Sequence, residues 1–186
     1  MPTTFVFVRH AQGYHNLDAD KRGEIAYNDS KHLDAELTPY GIQQAKMNNL
    51  GNEKFDAIYC SPMRRCRHTL LNIYPISEKL NVILDDSLIE QPRGKFICDK
   101  RLEKYEIVMT TPMAWNTDYI SERNPFILNS NIDNNKIESF TKYIKELYPN
   151  GKVLIVSHGV WIHNWLKKYK NSPRFLNNCE VIRVTL

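Results

Sequence analysis

Arginine and histidine side chains follow apolar runs at two distant places in this sequence. Arg9 and His10 come directly after the run TFVFV, and His158 follows the run KVLIVS. Arginine suits a phosphoryl group, because each planar guanidinium can donate two parallel hydrogen bonds to its oxygens. A neutral histidine can attack phosphorus and form a covalent intermediate, while a second histidine can stabilise charge in the transition state. These residue types therefore point to phosphoryl transfer.

A third segment, SPMRRCRHT, has the pattern of a helix start and carries three arginines. Arg64, Arg65 and Arg67 crowd its first turn, where the helix dipole already contributes positive charge. Such crowding is unfavourable unless an anion lies there, and helix N-termini commonly bind phosphate. The apolar face of this helix places Arg64 opposite the core and Arg65 at its flank. Arg65 is therefore the better candidate for binding an anion.

A carboxylic acid follows another strand-like run, at Glu90 in the segment SLIEQ. Such a group can protonate a leaving oxygen and then deprotonate water, in a scheme that needs no metal ion. Taken singly, a histidine after a strand is usually structural, and a glutamate in a polar stretch is usually solvated. Together they are more informative, because each follows a predicted strand and would lie at the same edge of a parallel sheet. Ligands bind at that edge, outside the carboxyl ends of the strands.

Strand-like and helix-like segments alternate along the chain. Apolar runs predict strands at residues 4–8, 55–60, 81–86, 152–157 and 179–186. A hydroxyl residue followed by proline predicts helix starts at Thr38-Pro39 and Ser61-Pro62. Further helices are expected near residues 112–122, 134–148 and 160–169. The alternation predicts an α/β fold, a three-layer αβα sandwich around a mostly parallel central sheet.

Length and composition suit one globular domain. The chain has 186 residues, 42% hydrophobic and 25% charged, with a formal net charge of +4. We expect a single domain over residues 1–186, in which residues 91–131 form a lid or insertion over the active site. The sequence carries no signal for an oligomeric state.

The sequence favours a cytoplasmic protein that does not enter membranes. No run approaches the roughly 20 apolar residues of a membrane span, and no secretory signal is visible. The four cysteines are scattered, which favours reduced thiols over a disulfide framework or a zinc site. Basic residues form no stripe interleaved with aromatic residues, so no nucleic-acid partner is expected.

Five short segments match one known family in the correct order. They are VRHAQGYHN, LTPYGIQQA, SPMRRCRHT, SLIEQ and VLIVSHG, and the matches span residues 5–159. On these motifs the chain resembles the histidine phosphatase superfamily, also called phosphoglycerate mutase-like. The first motif looks closest to fungal and plant mutase-like phosphatases that carry RHAQGxHN. Two positions depart from the usual pattern: Ala11 replaces a glycine, and Gly13 stands where many members have serine or threonine.

The resemblance implies a phosphoglycerate mutase-like fold and a role for each residue that matches a motif. It implies that His10 is the phosphorylated nucleophile and that Glu90 is the general acid and base. The residues implied to bind the phosphate are Arg9, Arg65, His158, Asn16 and Gly159. No cofactor and no metal ion is implied.

Two interpretations remain for each of several further side chains. Lys100 and Arg101 would either hold a second anionic group of the substrate or be solvated. His15 would either rim the pocket or face solvent. Trp115 and Tyr119 would either line a lid or pack on the core.

Three functions are compatible with these residues, and hydrolysis is favoured. The leading hypothesis is a phosphatase that hydrolyses phosphomonoesters of small metabolites through a phosphohistidine. A phosphoglycerate-type mutase would share the first half-reaction, but the chain is shorter than typical mutases and the insertion after Glu90 does not visibly match theirs. A non-catalytic module that binds phosphorylated ligands is the third possibility, although the expected catalytic side chains are all present.

Overall fold

The central sheet contains strands from both ends of the chain. The computed structural model describes residues 2–75, 81–91, 96–122 and 134–186. Within these ranges the strands are β1 (Thr4–Arg9), β2 (Ala57–Cys60), β3 (Val82–Asp85), β4 (Asn116–Tyr119), β5 (Lys152–Ser157) and β6 (Val181–Thr185). They form one sheet in the order β4-β3-β2-β5-β1-β6. β6 is antiparallel to β1, and the other pairings are parallel.

Helices cover both faces of the sheet. In the described residues they are α1 (Tyr14–Arg22), α2 (Pro39–Met47), α3 (Arg64–Ile73), α4 (Lys104–Met109), α5 (Asn134–Leu147) and α6 (Gly159–Lys170). Side chains of α2 and α3 pack on the sheet face that contains Val6 and Val8. Side chains of α5 and α6 pack on the opposite face, which contains Phe5 and Phe7. The predicted three-layer α/β architecture is thus confirmed.

The strand β1 shows why continuous apolar runs predict this architecture. Successive side chains of a strand point to opposite faces, so a strand covered on both sides needs apolar residues at every position. Phe5, Val6, Phe7 and Val8 are all fully buried. The rings of Phe7 and Trp165 lie 4.5 Å apart between their centroids, and aromatic pairs at this spacing add about 0.5–1.5 kcal/mol beyond simple burial.

Two local predictions were wrong. No helix covers residues 112–122; instead, α4 lies at Lys104–Met109, and Asn116–Tyr119 forms the edge strand β4. The intervening Trp115 is 5% exposed and packs in the core beside α3, so tertiary packing overrides the local helical pattern. The helix predicted to start at Ser61-Pro62 begins instead at Arg64, whose backbone N–H donates to the Asp34 carboxylate at 2.7 Å.

Two further features are the state of the cysteines and the polarity of the helices. The four cysteines are buried and free, without a disulfide. Across the described part of the chain, no helix is both long enough and apolar enough to cross a lipid bilayer.

Candidate active site

A cavity of about 240 Å³ lies where the parallel strands end. The predicted site residues in its wall are Arg9, His10, Asn16, Arg65, Glu90 and Gly159. His158 adjoins them, because the centroid of its ring lies 5.2 Å from that of His10. Distant segments of the chain therefore bring seven of the nine predicted site residues to one place.

His10 is held in the protonation state that a nucleophile requires. The side chain follows directly after β1, and the residue is 3% exposed, with Nδ1 at 2.8 Å from the carbonyl oxygen of Ala11. Burial, reinforced by the positive charge of Arg65, lowers the pKa of His10 well below its ordinary value. A neutral ring that donates its Nδ1–H to Ala11 keeps a free lone pair on Nε2. That lone pair can attack phosphorus.

His158 uses both of its ring nitrogens. It follows directly after β5 and is fully buried. Its Nδ1 lies 3.1 Å from Nη2 of Arg65, and its Nε2 lies 2.9 Å from the hydroxyl oxygen of Ser61. Burial, with a further contribution from Arg65, lowers the pKa of His158 well below its ordinary value. The two contacts hold the ring in a fixed orientation beside His10.

Arg65 lies at the flank of α3, as its position on the helix predicts. It is 1% exposed, and its Nη1 donates to the carbonyl oxygen of Cys98 at 2.7 Å, while Nη2 lies 3.3 Å from Oδ1 of Asp99. Its Nε is buried without a hydrogen-bond partner among the described residues. A buried donor left unpaired is costly, so this nitrogen suits an anion in the cavity. Arg64 differs, since it pairs with Glu36 at 2.7 Å outside the cavity.

The carboxylate of Asp34 relieves part of the positive charge at the start of α3. Asp34 is 1% exposed and accepts the first backbone N–H of the helix. Because an N-terminal turn favours negative charge, a carboxylate of the protein itself already fills one anion position. The arginine crowding therefore does not by itself require a bound phosphate, and the cavity is the feature that indicates a phosphate pocket.

Arg9 and Gly159 are neighbours in the cavity wall. Nη1 of Arg9 donates to the carbonyl oxygen of Leu176 at 2.6 Å, and its buried Nε has no partner among the described residues. A Cβ atom at Gly159 would lie 3.2 Å from that Nε. The missing side chain of Gly159 therefore leaves room for the guanidinium of Arg9, in addition to any approach of its own backbone to a ligand.

Glu90 combines a structural contact with an unusual proton affinity. Its carboxylate accepts the backbone N–H groups of Val160 and Trp161 at 3.2 and 3.0 Å, at the start of α6. Burial, reinforced by the negative charge of Asp99, raises the pKa of Glu90 to about 7. A carboxyl group with this pKa can be both proton donor and proton acceptor near neutral pH.

Asn16 and His15 are neighbours on α1 that both reach the cavity. Oδ1 of Asn16 accepts the backbone N–H of Gly13 at 3.0 Å, which stabilises the first turn of α1. His15 is 4% exposed and lines the cavity, with its ring 5.5 Å from that of His10. The structure thus places His15 in the pocket and not in solvent.

The structure does not bring Lys100 and Arg101 into the cavity wall. Arg101 is 1% exposed, and its Nε lies 3.0 Å from Oδ1 of Asp86. Its Nη2 also donates to the carbonyl oxygen of Ser121 at 2.7 Å. This guanidinium is neither solvated nor directed to the cavity; it joins the end of β3 to the segment after β4.

Only part of the predicted lid can be compared with the structure, because residues 92–95 and 123–131 lie outside the described ranges. The described part contributes Gln91, Phe96, Cys98 and Asp99 to the cavity wall. Trp115 packs in the core, whereas Tyr119 is 44% exposed and its hydroxyl lies 3.0 Å from that of Tyr143. A lid over residues 91–131 stays a prediction.

Several residues of the site carry no local sequence signal that would identify them. Ser61 was interpreted as a helix cap, although its hydroxyl contacts His158. Asp99 was not singled out, because nothing in its local sequence connects it with Arg65. Tyr27 and Phe96 were missed because aromatic residues in loops carry no signal for a particular site.

The fold and the site together define a protein of the phosphoglycerate mutase-like class. The sequence model of the histidine phosphatase superfamily (branch 1) matches residues 5–185. The chain therefore belongs to the histidine phosphatase superfamily.

Individual relatives match over stretches of different length. The protein named putative phosphoserine phosphatase 2 of Hydrogenobacter thermophilus is 28% identical over 160 residues, which cover 84% of this chain and 73% of that protein. Two other relatives match over shorter stretches. Phosphoserine phosphatase 1 of Hydrogenobacter thermophilus is 32% identical over 105 residues, which cover 54% of this chain and 46% of that protein. A phosphoglycerate mutase-like protein of Arabidopsis thaliana is 36% identical over 86 residues, which cover 42% of this chain and 31% of that protein. The matched stretches thus span less than half of each of these two relatives.

A solved structure supports the fold over the whole chain. The phosphoglycerate mutase of Bacillus anthracis superposes with a TM-score of 0.65, at 17% identity, over 100% of this chain and 88% of that chain.

Proposed function

We propose that this protein is a phosphatase that hydrolyses phosphomonoesters of small metabolites through a phosphohistidine at His10. The observation that carries the proposal is the neutral, buried imidazole of His10, whose Nδ1 is engaged by Ala11, in a cavity shared with Arg9 and Arg65. Membership of the superfamily and the phosphoserine phosphatase among the relatives support the same reaction.

The first half-reaction transfers the phosphoryl group to the enzyme. Nε2 of His10 attacks phosphorus, and the bond between phosphorus and the leaving oxygen breaks. Glu90, protonated near neutral pH because its pKa is about 7, gives its proton to that oxygen. Arg9 and Arg65 stabilise the negative charge of the transferred group. His158, whose Nδ1 accepts from Arg65 and whose Nε2–H donates to Ser61, holds Arg65 in position, and a preorganised set of donors typically contributes several kcal/mol to such a step.

The second half-reaction returns the phosphoryl group to water. The Glu90 carboxylate takes a proton from a water molecule, whose oxygen attacks phosphorus, and the N–P bond to His10 breaks. Inorganic phosphate leaves, His10 is neutral again, and Glu90 is protonated for the next cycle. Asn16 and Gly159 assist phosphate binding as members of the cavity wall. Because these residues supply every charge and proton that the two steps need, we propose that the reaction is independent of metal ions.

The decisive experiment measures phosphate release from 4-nitrophenyl phosphate and from a panel of small phosphorylated metabolites. The parent protein is expected to turn over, the His10→Ala variant to be inactive, and EDTA to have no effect. Brief exposure to labelled substrate should leave an acid-labile, base-stable label on His10. Undiminished turnover by His10→Ala would refute the proposed nucleophile, and strong inhibition by EDTA would refute metal independence.

The same assay distinguishes hydrolysis from the mutase and binding-module alternatives. With 3-phosphoglycerate and a bisphosphoglycerate primer, we expect phosphate release to exceed isomerisation. Isomerisation faster than release would identify a mutase. Binding of phosphate esters without any turnover would identify a non-catalytic module.

A further inference from the structure

The cavity has two chemically different parts. Arg9, His10 and Arg65 offer the polar groups suited to a phosphoryl group, and both His10 and Arg65 are almost fully buried, at 3% and 1% exposure. The more accessible part of the wall contains Tyr27, Phe96 and Phe175. Phe175 is 61% exposed, so the aromatic part lies toward solvent. Since every phosphomonoester carries the same phosphoryl group, this outer part is where substrates can be distinguished.

Aromatic rings form a continuous row from the nucleophile outward. The centroids of His10 and His15 lie 5.5 Å apart, those of His15 and Tyr27 lie 6.0 Å apart, and those of Tyr27 and Phe96 lie 5.3 Å apart. These spacings fall in the range in which aromatic rings attract one another. A substrate ring attached to a phosphate at His10 would therefore find aromatic neighbours along the whole row.

The outer rings are joined to the phosphate-binding part by short connections. The carbonyl oxygen of Phe96 accepts the backbone N–H of Asp99 at 3.1 Å, and the Asp99 carboxylate contacts Arg65. Tyr27 lies on the short turn Gly23–Asn28 that follows directly after α1, the helix that carries His15. The wall is thus held at a fixed distance from the site of phosphoryl transfer, which favours a ligand of defined shape.

Among the described residues of the outer wall, the charged side chain is that of Glu24, which disfavours an acidic group on the body of the substrate. Glu24 lines the same cavity and is exposed, so it offers a carboxylate to whatever enters. A carboxylate on the substrate would be repelled by Glu24 and would gain little from the rings of Tyr27 and Phe96. An uncharged or cationic aromatic group would not be repelled by Glu24 and could pack on these rings.

We infer that the substrates of this site are phosphate esters of alcohols that carry an aromatic or heteroaromatic ring and no carboxylate. This inference rests on the proposed phosphatase function. In this inference the row formed by His15, Tyr27 and Phe96 selects the alcohol part of the substrate. Arg9, His10 and Arg65 bind and transfer the phosphoryl group.

The test compares three esters whose leaving groups are all primary alcohols, so that differences report binding and not leaving-group reactivity. They are 2-phenylethyl phosphate, ethyl phosphate and O-phosphoserine. We expect kcat/KM for 2-phenylethyl phosphate to exceed each of the others by about tenfold or more. In Tyr27→Leu and Phe96→Leu this preference should fall by about tenfold, whereas Tyr27→Phe, which keeps the ring, should retain it.

A matched control is Tyr14→Leu, which removes a ring that is 46% exposed on α1 and outside the cavity wall; its preference should equal that of the parent. Hydrolysis of all three esters at similar rates, or a preference for O-phosphoserine in the parent protein, would overturn the inference while leaving the phosphatase function intact. Absence of any hydrolysis, including that of 4-nitrophenyl phosphate, would overturn both.

Discussion

The hydroxyl oxygen of Ser61 lies 2.9 Å from Nε2 of His158, while Nη2 of Arg65 lies 3.1 Å from Nδ1 of the same ring. A guanidinium can only donate hydrogen bonds, so Nδ1 must accept and Nε2 must carry the proton of the neutral ring. Ser61 therefore accepts from His158. It fixes which nitrogen is protonated and holds the basic nitrogen beside the arginine that we expect to bind phosphate.

Removal of this hydroxyl should impair catalysis more than it impairs folding. In Ser61→Ala the buried Nε2–H loses its acceptor, a loss of about 1–3 kcal/mol, and the ring can rotate or change tautomer. We expect kcat to fall by about tenfold and the pH–rate profile to change shape, because the protonation of His158 is no longer fixed. Measurement of ring ¹⁵N chemical shifts should show a mixture of tautomers at His158 in the variant.

Thr141→Val is a matched control for this prediction. The hydroxyl of Thr141 accepts the ring N–H of Trp165 at 2.8 Å, in the core on the α5 side of the sheet. Its loss also leaves a buried ring N–H unpaired, so stability should fall by a comparable amount, while kcat and the pH profile should stay as in the parent. If both variants lose the same activity, Ser61 acts only through stability.

The contrast between Ser61 and Arg65 shows which features of the site could be predicted from the sequence. Arg65 was identified because the apolar face of a helix is a local, periodic pattern, and the structure places it in the cavity as expected. Ser61 matched the local pattern of a helix cap, but its hydroxyl is used by His158, which is 97 residues away. A contact between distant segments leaves no periodic trace in either segment.

The strands also differ in whether a local sequence pattern predicts them. The strands of the sheet interior are continuous apolar runs because both of their faces are covered, and these were predicted correctly. The edge strand β4, with the sequence NTDY and partly exposed side chains, has no such pattern, because its side chains are not covered on both faces. Similarly, the charge of Arg101 suggested a ligand, whereas its partner proved to be Asp86.

The raised pKa of Glu90 predicts the pH dependence of hydrolysis. Because its pKa is about 7, the fraction of Glu90 that can protonate a leaving oxygen falls as the pH rises through 7. We expect kcat for alkyl phosphates to decline above this pH, and Glu90→Gln to lower kcat by about 10²–10⁴-fold and remove the decline. For 4-nitrophenyl phosphate, whose leaving group needs no proton, the decline of kcat with pH should be much smaller. Glu90→Gln should still lower kcat for this substrate, because it removes the base of the second half-reaction.

The same shift predicts a pH dependence of stability with a definite sign. The folded-state pKa of Glu90 lies above the ordinary value of 4.5, so the folded state binds this proton more tightly than the unfolded chain. Its contribution to the free energy of unfolding is complete below pH 4.5 and is lost as the pH rises toward about 7. Chemical denaturation between these pH values should show a smaller change for Glu90→Gln than for the parent; an equal change would contradict the assignment.

Asp99 should control the proton affinity of Glu90. Burial is the main reason for the raised pKa of Glu90, and the negative charge of Asp99 is the next. In Asp99→Asn that charge is absent, so the pKa of Glu90 should fall and the decline of kcat should move to lower pH. Glu36→Gln, which removes a carboxylate from the neighbouring Arg64 outside the cavity, is the matched control and should leave the decline in place.

Gly159 should be required for phosphate binding and not for folding. A Cβ at this position would lie 3.2 Å from Nε and 3.3 Å from Cζ of Arg9, so Gly159→Ala must shift the guanidinium of Arg9 from its position in the cavity wall. The substitution lies in the first turn of α6, where alanine at a compatible position typically adds about 0.4–1 kcal/mol of stability. We therefore expect an unchanged or higher melting temperature together with an inhibition constant for inorganic phosphate that is raised about tenfold. An unchanged inhibition constant would show that Arg9 does not bind phosphate in this position, and a large loss of stability would show that the two side chains cannot be accommodated together.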